Sequence, residues 1–81
     1  MVMYTVHVTG EPAAGRAVTL VFQTNEGETK NQSKTDRTGV ASMWGPWSNF
    51  VRVLVDNQTA VEQAEWTERP ADRFVEVSAP G

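Results

Sequence analysis

The chain has 81 residues, a formal net charge of −3 and no cysteine. This length predicts one domain with a thin core, and the lack of cysteine excludes disulfides and thiolate metal sites. The excess negative charge lies in residues 41–81, where three arginines oppose six carboxylates, and no basic stripe is present. Nucleic acid and anionic membranes are therefore disfavoured as partners. No apolar run approaches the roughly 20 residues of a membrane-spanning helix, so no membrane insertion is expected.

Alternation of apolar and polar side chains predicts β-strands along the first half of the chain. Every second residue of the first two predicted strands is apolar and is expected to face the core, namely Val2, Tyr4, Val6, Val8, Val18, Leu20 and Phe22. Gly10, Pro12 and Gly15 interrupt the pattern between these strands. The polar residues 29–34 predict an exposed edge strand whose lysines oppose edge-to-edge pairing.

The second half of the chain contains clear turns and one strongly apolar strand. Asp36 to Gly39 predicts a type I turn before a strand that begins at Val40. Phe50 to Val55 is the strongest predicted strand, and Asp56-Asn57 is a two-residue turn candidate after it. A sixth strand is predicted over Gln58–Trp66 and a final strand over Arg73–Ser78. A helix over Ala60–Arg69 is the alternative for the sixth strand.

Seven short strands with regularly spaced turn signals are typical of an all-β domain. The predicted fold is a seven-stranded Greek-key β-sandwich of the Ig-like or transthyretin-like kind. Residues 1–78 form its single domain, and residues 79–81 form a C-terminal tail.

Two motifs carry a family resemblance. Gly-x-Pro-x-x-Gly-Arg-x-Val-x-Leu at residues 10–20 precedes Thr-Asp-x-x-Gly-x-Ala at residues 35–41, and an apolar strand ending in an Asp turn follows. This pattern resembles the carboxypeptidase regulatory-like and bacterial Ig-like domains over about residues 1–59. The resemblance implies a transthyretin-like or Ig-like sandwich in a bacterial, non-catalytic module of a larger surface or secreted protein. The chain departs from the pattern at Asp56-Asn57 and in its Trp44-Gly45-Pro46-Trp47 segment.

Three tryptophans are the candidate binding residues. Trp44 and Trp47 flank Gly45-Pro46, which places at least one of them in a loop, and Trp66 lies near the end of the sixth predicted strand. Exposed tryptophan rings stack on sugars and are enriched at protein-binding hot spots. The alternative interpretation is structural, with the large rings covering the open end of a thin sandwich.

No catalytic or metal-binding constellation is predicted. His7 is the only histidine and has no second ligand at a useful spacing, so we expect no catalytic residues, no metal and no cofactor. One histidine cannot supply the set required by the transthyretin-like hydrolases of purine breakdown. An internal isopeptide bond is excluded because the first strand lacks lysine and the last lacks asparagine. The patterns Asn31-Gln32-Ser33 and Asn57-Gln58-Thr59 are attributed to turn chemistry rather than to glycosylation.

The sequence therefore predicts a binding or structural module and not an enzyme. The expected partner is a protein, with self-association through the Thr29–Lys34 edge or the C-terminal strand included, and the alternative is a carbohydrate bound by the tryptophans. Residues 1–8 lack the basic start and continuous apolar segment of a signal peptide. The chain is expected to be cytoplasmic if complete and extracellular if it is a fragment of a surface protein.

Overall fold

The computed structural model describes residues 1–80, which form eight β-strands in two four-stranded sheets and contain no helix. The strands are β1 (Val2–Thr9), β2 (Ala17–Thr24), β3 (Gly27–Lys34), β4 (Val40–Gly45), β5 (Val51–Val55), β6 (Gln58–Val61), β7 (Thr67–Glu68) and β8 (Arg73–Ser78). Sheet A has the order β4-β1-β8-β7, and sheet B has the order β3-β2-β5-β6. In this part of the chain there is accordingly no helix with the length and apolarity to cross a membrane.

The core lies between the inner faces of the two sheets. Sheet B is antiparallel throughout, whereas β1 in sheet A pairs antiparallel with β4 and parallel with β8. Of the side chains predicted to face the core, Val2 is partly buried against it and the others have no exposed surface, namely Tyr4, Val6, Val8, Val18, Leu20 and Phe22. Val51, Val53 and Val55 of β5 are also fully buried. Burying an apolar side chain of this size contributes roughly 1.5–3 kcal/mol, so this layer holds the sheets together.

The prediction of seven strands, with a sixth strand over Gln58–Trp66, is wrong. β6 ends at Val61, and the chain then crosses from sheet B to sheet A before β7 begins at Thr67. Ala64 anchors this crossing, because its side chain is buried and its amide donates a hydrogen bond to the Val51 carbonyl at 3.0 Å. The predicted strand thus holds only over β6, residues 62–66 form the crossing, and the alternative helix over Ala60–Arg69 is also absent from the described residues.

The strands run between two distinct ends of the sandwich. The first, which we call the turn end, contains the loops 10–16 and 35–39 and the 56–57 turn. The second, which we call the aromatic end, contains the 25–26 turn, the β4–β5 loop at residues 46–50 and the 69–72 loop. This arrangement follows from the strand directions, because β1 begins at the aromatic end and each antiparallel neighbour reverses.

Carboxylates fix the backbone at the turn end. The Asp36 carboxylate accepts hydrogen bonds from the Thr38 hydroxyl at 2.6 Å and from the amides of Thr38 and Val40. The Gly39 amide donates to the Asp36 carbonyl at 3.0 Å, which confirms the predicted turn. Asp56 and Asn57 both have positive φ, as a two-residue hairpin turn of this kind requires. The Asp56 carboxylate accepts from Arg16 at 2.8 Å, tying this turn to the start of β2.

Candidate binding site at the aromatic end

Three large aromatic side chains project from the aromatic end into solvent. Trp44 and Trp47 each expose 56 % of their surface, and Phe50 exposes 59 %. Trp44 lies in β4 and points away from the core, because its neighbour Met43 points inward and is buried. Trp47 and Phe50 belong to the β4–β5 loop. We call Trp44, Trp47 and Phe50 the aromatic rim.

Hydrogen bonds from buried side chains hold the β4–β5 loop. The Tyr4 hydroxyl, fully buried in β1, donates to the Pro46 carbonyl at 2.6 Å. The Ser48 hydroxyl is also buried and donates to the Gln23 carbonyl of β2 at 2.6 Å. The loop is therefore fixed to both sheets, so a partner would bind Trp47 and Phe50 with little loss of backbone freedom.

A buried arginine supports the rim from below. Arg73, 7 % exposed, donates from Nη1 to the Ser48 carbonyl at 2.9 Å and from Nε to Glu68 at 2.7 Å. Its guanidinium carbon lies 3.9 Å from the centre of the Trp47 ring, a cation–π distance. One face of Trp47 therefore rests on Arg73, and the ring is held while more than half of its surface stays exposed.

Gly45 allows the close packing beneath this end. A Cβ atom at Gly45 would lie 2.3 Å from Cζ of Phe22, whose ring is fully buried. Non-bonded carbon atoms do not approach each other that closely, so only glycine at position 45 lets the Phe22 ring fill the space under the start of the loop. The glycine between Trp44 and Trp47 is thus a packing requirement.

Trp66 differs from the other two tryptophans in its burial. Its ring is only partly exposed and packs edge-on against Tyr4, with the ring centres 4.9 Å apart. It also faces Arg73, whose guanidinium carbon is 5.9 Å from the Trp66 ring centre. Its Nε1 is buried and meets no acceptor among residues 1–80. Arg73 therefore lies close to the rings of both Trp47 and Trp66, and Trp66 approaches it from inside the domain.

Two shallow depressions flank Trp47. The larger, of about 800 Å³, lies between the β4–β5 loop and the β2–β3 turn and is bordered by Trp47, Phe50 and Glu26. The smaller, of about 300 Å³, brings Trp44 and Trp47 together with Arg69 and Asp72. Trp47 thus borders both depressions and is the central member of the rim.

The polar groups in the smaller depression are fixed by their own contacts. Arg69 donates to both carboxylate oxygens of Asp72, at 2.6 and 2.5 Å, and the Thr5 hydroxyl donates to Asp72 at 2.6 Å. The Arg69 hydrogen bonds, followed by that from Thr5, lower the pKa of Asp72 to about 2. The same ion pair raises the pKa of Arg69. Both groups therefore stay charged at neutral pH and border the tryptophans as a fixed pair.

His7 lies away from this site, on the outer face of sheet A. Its Nδ1 is 3.1 Å from a carboxylate oxygen of Glu76 on the adjacent β8. Across residues 1–80, no group of three or more histidine, aspartate or glutamate side chains is arranged to hold a metal ion.

The sequence contained signals for two site residues that were not predicted. Phe50 shares the parity of the outward residues Arg52 and Leu54, so the alternation of β5 already places it outside the core. Arg73 shares the parity of Val75 and Val77, which indicates an arginine that faces inward. Neither pattern identifies the partners, because Glu68 and the Ser48 carbonyl reach Arg73 only through the fold.

No protein-family model matches the chain, and comparisons with curated proteins and with solved structures find no match to either.

Proposed function

We propose that this domain is a non-catalytic module that binds another protein through the aromatic rim. The observation that carries the proposal is the exposure of three large aromatic side chains on one rigid end. Tryptophan is enriched at binding hot spots because it buries a large area for few rotatable bonds. Trp47 borders both depressions, Phe50 borders one and Trp44 the other, so the rim offers apolar area beside charged groups, an arrangement common at protein-binding sites.

The fixed loop strengthens this proposal. Ordering a flexible loop during binding opposes association, whereas the β4–β5 loop is already held by Tyr4, Ser48 and Arg73. Trp47 in particular is supported on one face by Arg73. A rigid aromatic anchor of this kind contributes to affinity without a matching loss of conformational entropy.

We infer in addition that the sandwich is of the Ig-like or transthyretin-like kind found in carboxypeptidase regulatory-like and bacterial Ig-like domains. The support is the pair of motifs at residues 10–20 and 35–41, together with a two-sheet all-β domain. Domains of this family are mostly non-catalytic modules of larger proteins, which agrees with a binding role.

Two measurements on the full chain test the protein-binding proposal. Sedimentation equilibrium up to about 1 mM detects self-association, since a contact of about 4 kcal/mol is half-formed there. A photo-reactive phenylalanine analogue at position 47, used in cells of the source organism, detects other protein partners. The control carries the analogue at position 54, where Leu54 is partly exposed on the outer face of sheet B.

We expect either concentration-dependent dimers that Trp47→Ala abolishes and Leu54→Ala preserves, or a protein adduct formed from position 47 but not from position 54. A monomer at every concentration together with no position-specific adduct would overturn the proposal.

A carbohydrate is the second candidate ligand, and one observation favours it. Trp44 and Trp47 share a depression with the Arg69–Asp72 pair, which places apolar faces beside polar groups able to bond hydroxyls. Oligosaccharide binding would quench tryptophan emission in the native chain and in Phe50→Ala, which changes the other depression. The quenching should disappear in Trp44→Ala. If no sugar in a broad glycan panel alters the emission, the carbohydrate candidate is rejected and the protein candidate is unaffected.

A further inference from the structure

β8 leaves part of one edge of sheet A uncovered. Its first two residues, Arg73 and Phe74, pair with β7, whereas Val75–Ser78 have no strand on that side among the described residues. The other edge of β8 pairs with β1, where the amide of Ala79 continues the ladder by donating to the Thr9 carbonyl at 3.0 Å. Because neighbouring residues alternate in direction, the N–H and C=O groups of Glu76 and Ser78 face the uncovered edge.

The crossing between the sheets keeps this edge open. A longer β7 would have extended beside Val75 and Glu76, but the chain approaches β7 from sheet B, where the Ala64 amide is bonded to Val51. Residues 62–66 therefore span the two sheets and do not form a ladder with β8.

A groove with apolar and polar walls lies beside the uncovered edge. It has a volume of about 510 Å³ and is bordered by Ala60, Val61, Val75 and Val77, together with the polar residues Gln63, Glu65, Glu76 and Ser78. Ala60, Val61 and Val75 are partly exposed and pack against the core. The core is thus incompletely covered on this side, and alternate side chains of an added strand would complete it.

The negative charge around the groove favours a positively charged partner. Glu65 and Glu76 line the groove, whereas neither lysine nor arginine does. The Glu76 carboxylate also lies 3.1 Å from Nδ1 of His7. A second copy paired through the same edge would bring two Glu76 residues close together, which opposes that dimer. The lysine-bearing β3 faces β4 of its own chain, where the Asn31 amide donates to the Trp44 carbonyl. Both routes to self-pairing are therefore disfavoured.

We propose that the uncovered edge of β8 binds an extended segment of a partner protein, in which small or β-branched apolar residues alternate with lysine or arginine. The segment continues sheet A by bonding Glu76 and Ser78 through its main chain. Its apolar residues enter the groove, and its cationic residues contact Glu65 and Glu76. This surface is separate from the aromatic rim, so the β8 proposal and the rim proposal can be tested independently.

The test uses synthetic peptides of about six residues, the usual length of a strand. The probe alternates valine and lysine, and a second peptide of the same sequence is N-methylated at every other residue on its bonding edge. Binding is followed by two-dimensional NMR of the full-length chain, with hydrogen exchange at the amides of Glu76 and Ser78. We expect the probe to shift and protect these two amides, and the methylated peptide to lose binding because its donors are gone.

Charge variants sharpen the result without removing any core contact. Glu65→Gln and Glu76→Gln should each weaken probe binding by about two- to fivefold at low salt, the range for exposed ion pairs. Glu11→Gln, at the turn end, is the matched control and should leave the affinity unchanged. Equal binding of the methylated peptide, or shifts confined to Trp44, Trp47 and Phe50, would overturn the β8 proposal. The latter result would still support the rim.

Discussion

The two ends of this sandwich are built by different means. At the turn end, Asp36 caps its own turn through Thr38 and Val40, all within five residues of chain. At the aromatic end, Tyr4, Ser48 and Arg73 meet across 25 to 69 residues of sequence separation. The Asp36–Gly39 turn is therefore specified by local turn chemistry, whereas the contacts that hold the aromatic end form only after both sheets have formed. One long-range contact also reaches the turn end, where Arg16 bonds Asp56 across 40 residues of sequence.

The two ends also differ in the side chains that they expose to solvent. The Asp36–Gly39 turn and the Asp56–Asn57 turn end in satisfied backbone contacts and leave no large apolar side chain exposed. At the aromatic end, buried polar contacts hold a loop whose aromatic rings remain exposed to solvent. The proposed binding role therefore falls on the end that local motifs do not describe.

The largest expected effect comes from the arginine beneath the rim. Arg73→Met leaves the Ser48 carbonyl without a donor and removes the cation–π contact, so we expect a loss of about 2–4 kcal/mol in the free energy of unfolding. Arg52→Met is the control, since the Arg52 side chain is partly buried but its Nε has no hydrogen-bond partner within residues 1–80. Arg52→Met should lower the free energy of unfolding by less than about 1 kcal/mol. Urea denaturation measures both, and equal losses would remove the special role of Arg73.

At the turn end, two glycines allow the effect of a tertiary contact to be measured separately from backbone strain. Gly39 and Gly15 both have positive φ, but a Cβ atom at Gly39 would lie 2.6 Å from the Val8 carbonyl oxygen, whereas one at Gly15 meets open space. Gly39→Ala should therefore be less stable than Gly15→Ala by about 1–3 kcal/mol. Chemical denaturation gives the difference, and tryptophan emission should be unchanged in both variants. A change in emission would show that the two ends are coupled.

A smaller effect is expected where the loop is tied to β1. Tyr4→Phe keeps the buried ring but removes the donor to the Pro46 carbonyl, which should destabilise the domain by about 1 kcal/mol. Backbone NMR relaxation should show greater mobility at Trp47 and Phe50 and no change at Thr38. Unchanged relaxation in the loop would mean that the remaining contacts, from Ser48 and Arg73, are sufficient to hold it.

The smallest effect is an acid dependence that Asp72 contributes. Because the pKa of Asp72 is lowered from 3.8 to about 2 in the folded chain, the folded state binds fewer protons than the unfolded state in this interval. Its stabilising contribution is complete above pH 3.8 and is lost as the pH falls towards about 2. Asp72→Asn should flatten the decline of stability over that window. Carboxyl NMR titration checks the pKa directly, and a midpoint near 3.8 would contradict the Arg69 and Thr5 contacts.

Much of the fold follows from the alternation pattern, and the site follows only in part. Seven of the eight observed strands overlap the predicted strands. In β1, β2 and β5 the signal is one inward-facing apolar residue in two, whereas the polar residues 29–34 predict β3 as an exposed edge strand. Residues 62–66 do not continue the strand predicted over Gln58–Trp66, because their side chains give no sign that the chain changes sheet at Ala64. The tryptophans were identified by type, while their exposure depends on which neighbours the fold supplies.

The sequence by itself determined the all-β class, the inward faces of β1, β2 and β5, and the turn at Asp36–Gly39. These features depend on side-chain period and on backbone preferences within a few residues. Only the tertiary structure decided that Trp44, Trp47 and Phe50 are exposed, that Trp66 is partly buried against the core, and that Arg73 supports the rim. Those outcomes depend on contacts between residues far apart in the chain, whose pairing is set by sheet order and register.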